Sequence, residues 1–305
     1  MATPLSISGA VPVLVTPFDA DGGMDLDSLR RQIDFCLASG AQALAFGMGS
    51  ETGMLTDAER EQVWRAAAEH AAGRVPVIAA PSHPSREGII ALTRLASASG
   101  VDCVMVNPEG RKGESVVSLF RDLSERVDIP ILVQDAQGNA PVDTLLEAVR
   151  ESDHVISFKI ECAGAADKIG RLVERLGKVV DRSITILGGY DGAALPEELE
   201  RGSVGTMPHP AIVDAFRQVC DLHAGGDARE AEAVYYRKIV PLIRLSSAGG
   251  GLGGGIWMHK MILHRAGILS SPRCRIETDP QPDWVMEKIW NHLKRAKVRI
   301  AAHLG

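Results

Sequence analysis

The stretch that decides the fold is Cys103-Val104-Met105-Val106, then Ile129-Pro130-Ile131-Leu132-Val133, then Val155-Ile156-Ser157-Phe158-Lys159. These three short runs are apolar on both faces, and two amphipathic stretches, Glu114–Arg126 and Val142–Glu151, separate them. Runs of that kind predict strands covered on both sides, and the helical stretches between them predict parallel crossovers. The pattern continues outward. Upstream lie Ala10–Val15, Ala43–Gly47 and Val75–Ala80; downstream lie Ile184–Gly188 and Gly205–Met207. Helical patterns cover Leu26–Ala38, Asp57–Ala71, Ser85–Ser99, Ala165–Leu176, Leu195–Arg201 and Ile212–His223. Thr56-Asp57-Ala58-Glu59 is a capping-box pattern, and Gly40, Gly73, Gly100 and Gly177 stand where helix C-caps are expected. Eight strand–helix pairs are the count of an α/β fold of the (β/α)8 TIM-barrel type. An open doubly wound sheet would call for fewer strands and a glycine-rich first turn; the first turn here is Thr16-Pro17-Phe18-Asp19.

Strand signals stop near Gly225. Asp227–Leu245, Gly255–Ala266 and Pro282–Val298 predict a C-terminal three-helix extension. The expected division is residues 1–225 as barrel catalytic domain and 226–305 as helical extension. The glycine-rich joint Ala248–Gly255 follows a helix and lacks the GxxxxGK[ST] spacing, so it reads as a connection or a close-packing element and not as a phosphate cradle.

Composition narrows the function classes. Lys+Arg number 33 against 39 Asp+Glu, a formal net charge of −6, and no basic stripe points to nucleic acid. The N-terminal MATPLSISGA has neither a basic n-region nor an apolar h-region, and no apolar run reaches 18 residues, so neither a secretory signal nor a membrane span is expected. Five cysteines, all more than 50 residues apart, and the absence of CxxC, HExxH or HxH predict a reduced, cytoplasmic protein without a metal cluster.

In a (β/α)8 barrel the chemistry sits at the C-terminal strand ends. There the sequence places Gly47-Met48-Gly49-Ser50-Glu51-Thr52, Pro81-Ser82-His83, Asn107-Pro108-Glu109, Gln134-Asp135, Lys159 with Glu161, Gly188-Gly189-Tyr190-Asp191 and Met207-Pro208-His209. Lys159 ends an apolar strand, where desolvation favours the neutral amine that attacks carbonyls; equally, a lysine at a strand end can snorkel to solvent. The other eight lysines fall on predicted helices or loops and read as solvated faces. The Gly47–Thr52 loop could hold a carboxylate on its N–H groups, with Ser50 adding a hydroxyl, or could be a turn needed only for its geometry. Gly189 ends the seventh strand beside the expected cavity. His83 and His209 read as rim residues. Asp135 and Glu161 read as acid/base groups or as salt-bridged supports.

With these residues in hand, the chain resembles the dihydrodipicolinate synthase/N-acetylneuraminate lyase family of class I aldolases. The likeness runs through Val13-Leu14-Val15-Thr16-Pro17-Phe18, Gly47-Met48-Gly49-Ser50-Glu51 with Leu55-Thr56 and Glu59, Pro76-Val77-Ile78-Ala79, Gly100-Val101-Asp102, Phe158-Lys159 and Gly202–Met207. The resemblance implies a Schiff base between Lys159 and a 2-oxo acid, usually pyruvate, with no added cofactor. It places the carboxylate on the loop of Met48, Gly49 and Ser50 and lines the pocket with Met207. It also implies a homo-oligomer, a tetramer or a dimer. The departures are as specific. Met48 and Gly49 stand where the family carries hydroxyl residues, and the family's strand-five tyrosine aligns with Val133. The second relay tyrosine aligns with the Glu109-Gly110 region, and the arginine that grips the synthase's second substrate falls near Gln137-Gly138. Ser50, Asp135, a water on Gln134 or the substrate's own carboxylate could replace the proton relay.

The resulting expectation is a Schiff-base lyase or aldolase for pyruvate or a related 2-oxo acid, acting by cleavage, condensation or dehydration. A non-catalytic 2-oxo-acid or sugar-acid binder on the same barrel is the alternative, and true dihydrodipicolinate synthesis is disfavoured.

Overall fold

Prolines set where the strands start. Pro130 offers no N–H, so the fifth strand begins after it, and Pro12 interrupts the first ladder in the same way. In the computed structural model, which describes residues 5–249 and 252–304, the strands are β1 (Gly9–Ala10), β2 (Leu44–Ala45), β3 (Val77–Ala79), β4 (Cys103–Val106), β5 (Ile131–Ala136), β6 (Val155–Glu161), β7 (Thr185–Gly188) and β8 (Gly205–Thr206). They pair in parallel in the order β1-β8-β7-β6-β5-β4-β3-β2. A parallel bridge from Val13 to Ala45 joins the two ends, with Leu14 N–H donating to Ala45 C=O at 2.8 Å. The barrel is thereby closed.

The crossover helices are α1 (Leu26–Ala38), α2 (Asp57–Ala71), α3 (Arg86–Ala98), α4 (Glu114–Arg126), α5 (Val142–Arg150), α6 (Ala165–Leu176), α7 (Leu195–Glu200) and α8 (Val213–Ala224). After them come α9 (Ala228–Val234), α10 (Val240–Ser246), α11 (Leu252–Arg265) and α12 (Asp283–Ala296). Thr56 and Glu59 form the expected reciprocal cap at the start of α2.

Strand parity divides the apolar residues into two cores. Val11, Ala45, Ile78, Met105, Leu132 and Leu187 fill the barrel, while Val104, Val133, Phe158, Ile160 and Ile186 face the helices. The helix-side cluster also takes in Met258 and Ile262 of α11 and Val285 and Ile289 of α12, so the C-terminal helices share an apolar core with the barrel's outer layer.

Three sequence expectations need correction. β5 runs on through Gln134, Asp135 and Ala136, and β6 runs on to Glu161. The first C-terminal helix is not continuous: a π-helical turn, Tyr235–Ile239, separates α9 from α10. Pro241 explains it, because its ring cannot accept the regular helical approach of the carbonyl four residues back. α11 begins at Leu252, before the expected Gly255. The first four residues of the N-terminal segment, and Gly250–Gly251 of the glycine-rich joint, lie outside the described residues. Among the described residues, no helix is long and apolar enough to cross a membrane. All five cysteines are free thiols.

Candidate active site at the barrel mouth

Successive residues of a strand face opposite ways, so Lys159 and Glu161 of β6 share one face while Phe158 and Ile160 take the other. That face is the barrel interior. Lys159 is 5% exposed and its Nζ lies 2.9 Å from a carboxylate oxygen of Glu161. β5 pairs in register so that Gln134 stands opposite Lys159, and the Gln134 side-chain amide donates to Glu161 at 2.8 Å. The other Glu161 oxygen accepts from Tyr190 N–H at 2.9 Å. Burial pushes the Glu161 carboxyl up, but the Lys159 ammonium and these two donors outweigh it and hold the group below its ordinary value. Glu161 is therefore an ionised, fully hydrogen-bonded partner for the lysine. Gly189 makes the approach possible, since a Cβ there would lie 2.6 Å from the Glu161 Cβ.

Above this pair opens a cavity of about 510 Å³. Its floor holds Lys159, Glu161, Gln134, Val13, Met105 and Met207. The loop after β2 forms one wall through Gly47, Met48 and Gly49, which open a short 3-10 turn, Met48–Ser50. The first N–H groups of such a turn have no partner inside it, and the left-handed Glu51 (φ 55°) that follows gives the loop the concave shape from which backbone N–H groups can receive an anion. The outer lining sets polar side chains, Asn107, Gln137, Asn139, Ser246 and Ser247 with Glu109 and Tyr190, among the apolar Ala136, Ala193, Pro208 and Ile243. Among the described residues no arginine lines it.

The loop is held from beneath. Glu51 is buried against the Nζ of Lys260, which is itself fully buried and also donates to Arg273 C=O at 2.8 Å. The second Glu51 oxygen accepts from Arg275 N–H at 2.6 Å and Ile276 N–H at 2.9 Å. Lys260 on α11 thus corrects the expectation that every lysine except Lys159 lies on a solvated face.

On the far wall, Asp191, His209 and His259 bring potential ligand atoms within 4.8 Å of one another. The two imidazoles stack at 4.1 Å between centroids and 23° between planes. Imidazole lone pairs lie in the ring plane, so nearly parallel stacked rings send theirs out side by side and not toward one common point. The trio does not have the shape of a metal centre.

Residues 6–283 match the dihydrodipicolinate synthetase family. L-2-keto-3-deoxyarabonate dehydratase of Azospirillum brasilense is 30% identical over 288 residues, covering 90% of this chain and 89% of that protein. The chain belongs to the dihydrodipicolinate synthetase family. 4-Hydroxy-tetrahydrodipicolinate synthase of Pseudomonas aeruginosa is 34% identical over 245 residues, covering 77% of this chain and 82% of that protein. Among solved structures, dihydrodipicolinate synthase from Rhodopseudomonas palustris superposes with a TM-score of 0.86 at 26% identity, over 95% of this chain and 97% of that one.

Of the expected site residues, the cavity gathers Lys159, Met48, Gly49 and Met207. Four others it does not. Val133 points outward into the helix-side core, and Gln134 is the β5 residue that faces Lys159. Asp135, one residue further, also points outward, where it pairs with Lys168 and accepts from Ala140 N–H at 3.1 Å; it is a support and not an acid/base group of the cavity. The Ser50 hydroxyl is buried, donating to Leu14 C=O and accepting from Gly47 N–H at 3.0 Å, so it builds the loop without facing the cavity. Gly189 lies behind Glu161. His83 is exposed and accepts from Ser85 N–H at the start of α3. Sequence reasoning missed Gln134 and Glu161 as a unit with Lys159, although a Lys-x-Glu spacing on a strand puts both side chains on one face.

Proposed function

We propose that this chain is a Schiff-base-forming lyase for a 2-oxo acid with a neutral, hydroxylated tail, and that elimination of water is its reaction. The observation that carries the reading is the Lys159–Glu161 ion pair on the floor of a cavity with the Gly47–Gly49 backbone on one wall and Asn107, Asn139, Ser246 and Ser247 further out. The amides of Met48 and Gly49 hold the carboxylate, leaving the keto carbon over Lys159. Glu161 takes a proton from the lysine, and the neutral amine adds to the carbonyl. The same proton leaves with the carbinolamine hydroxyl as water, giving the iminium. Glu161 next takes a proton from the carbon beside the iminium. The hydroxyl on the following carbon leaves with that proton as a second water. Hydrolysis of the conjugated imine frees Lys159. One carboxylate serves both proton transfers, and the lysine needs no added cofactor.

Two observations favour a hydroxylated tail over the aldehyde partner of the synthase. The outer lining offers Asn107, Asn139, Ser246 and Ser247 but, among the described residues, no arginine for a second carboxylate, and the 30%-identical relative that spans nearly the whole chain is named as a keto-deoxy-sugar-acid dehydratase. Turnover with 2-oxo-3-deoxy pentonates and hexonates tests the reading. The expected product is lighter by one water, with weak or no condensation of pyruvate and aspartate semialdehyde. Efficient condensation would contradict the assignment of the tail. Thermal stabilisation by 2-oxo acids without turnover of any would make the protein a binder.

A further inference from the structure

One imidazole at the barrel mouth has no part in the steps above, yet three elements converge to hold it. Asp191, in the turn after β7, has a left-handed backbone with φ 55°. One of its oxygens accepts from the backbone N–H of His209 at 2.8 Å, and the other lies 3.6 Å from Nε2 of His259 on α11. The His259 ring, 2% exposed, stacks on that of His209. His209 itself lines the cavity, and its Nδ1 is buried without a hydrogen-bond partner. A buried ring nitrogen left unpaired is costly, and such atoms occur where a ligand completes the bond.

The direction of that ring edge is given by Gly49. A Cβ built on Gly49 would lie 3.0 Å from Cε1 of His209 and 3.5 Å from its Nδ1. The imidazole therefore occupies the space over the loop that a side chain at position 49 would take. Gly49 does not have a left-handed φ, so close approach is what requires glycine there. Met48 and Gly49 bring no hydroxyl to the anion wall; the imidazole brings a donor to the same place.

We propose that His209 is a ligand-binding residue for the carboxylate end of the oxo acid: its imidazole hydrogen-bonds the carboxylate seated on the Met48 and Gly49 amides, the stacked His259 ring fixes its plane, and Asp191 holds the His209 backbone. The proposal rests on the Schiff-base reading. Burial and the neighbouring His259 hold the His209 imidazole down to about 4, so at neutral pH it is an uncharged ring with one N–H to donate. A fixed neutral donor adds direction without putting a second cation beside Lys159. It also makes carboxylate-bearing ketones better ligands than neutral ones of similar size.

The test is borohydride trapping on Lys159 with two carbonyl compounds, pyruvate and hydroxyacetone, in the full-length protein. His209→Ala is expected to lower the trapping efficiency with pyruvate by roughly tenfold or more, as for loss of a hydrogen bond to a charged group, and to leave hydroxyacetone unchanged. His209→Gln, which keeps an N–H donor, is expected to recover part of the pyruvate preference. Gly49→Ala, compatible with its backbone, drives a methyl group into the imidazole and is expected to lower the same ratio, which covers the case of an unstable His209 variant. An equal fall with both compounds, or an unchanged ratio in all three variants, overturns the proposal while leaving the Schiff-base reading intact. Absence of trapping in the unmodified protein overturns that reading first.

Discussion

Lys159 and Glu161 sit two positions apart on one face of β6 at a separation of 2.9 Å, the arrangement from which the proposed function has the carboxylate act on the amine and on the first carbons of the oxo acid. Glu161→Gln keeps the shape and the contact with Gln134 but removes the proton acceptor. Turnover is expected to fall about 10²- to 10⁴-fold, the usual contribution of a positioned acid or base. The pH dependence follows from the sign of the shift. Glu161 is held below its ordinary value by Lys159 and its donors, so the carboxylate stays ionised as the medium becomes acidic. The acidic limb of kcat/KM assigned to it is expected below the range of an unperturbed glutamate, and that limb should disappear in the Gln variant. Lys159 was legible from the sequence because it ends an apolar run. The parity of β5 was not: Ile131-Leu132-Val133 is apolar on both faces, so nothing in the run says which residue points inward, and an error of one position turns Gln134 into Val133.

In the proposed function the loop after β2 holds the ligand's carboxylate, and hydrogen bonds that face away from the cavity set its shape. Ser50→Ala removes the donor to Leu14 C=O and the acceptor for Gly47 N–H at a buried site. A loss of about 1–3 kcal/mol in urea unfolding is expected, with weaker 2-oxo-acid binding as the amides lose their alignment. Beside it, Arg275 clamps Glu59 at the start of α2 with contacts of 2.6 and 2.9 Å. That hydrogen bonding lowers the Glu59 carboxyl to about 2. A lowered carboxylate stabilises the fold fully above its unfolded value and loses that contribution as the pH falls toward its folded one. The stability gap between the unmodified protein and Glu59→Gln is therefore expected to be present at pH 7 and to shrink between roughly pH 4.5 and pH 2 in urea titrations. The capping box was readable from Thr56 and Glu59 alone, since both partners lie within one turn. The Arg275 clamp joins residues more than 200 positions apart and leaves no local signal.

Across the whole molecule, the C-terminal helices do more than extend the barrel. Lys260 of α11 reaches under the site loop to Glu51, and both side chains are fully buried. Removing one charge leaves the other buried without compensation. Lys260→Met is expected to cost about 3–5 kcal/mol in chemical unfolding, and the double variant Lys260→Met with Glu51→Gln is expected to recover part of it. If the Lys260→Met variant were as stable as the unmodified protein, the pair would not be what joins the extension to the loop. The barrel itself was legible because its eight strand–helix repeats each carry a local period. The tie through Lys260 was not, because a lone lysine on an amphipathic helix looks the same whether it meets water or a carboxylate 209 positions away. The central claim concerns the amine at the barrel floor, and trapping tests it most directly. Borohydride added with pyruvate or a 2-oxo-3-deoxy sugar acid, followed by peptide mass spectrometry, is predicted to place the reduced adduct on Lys159 and to place none in a Lys159→Met variant. Modification of a different lysine, or of none across a panel of 2-oxo acids, would contradict the account.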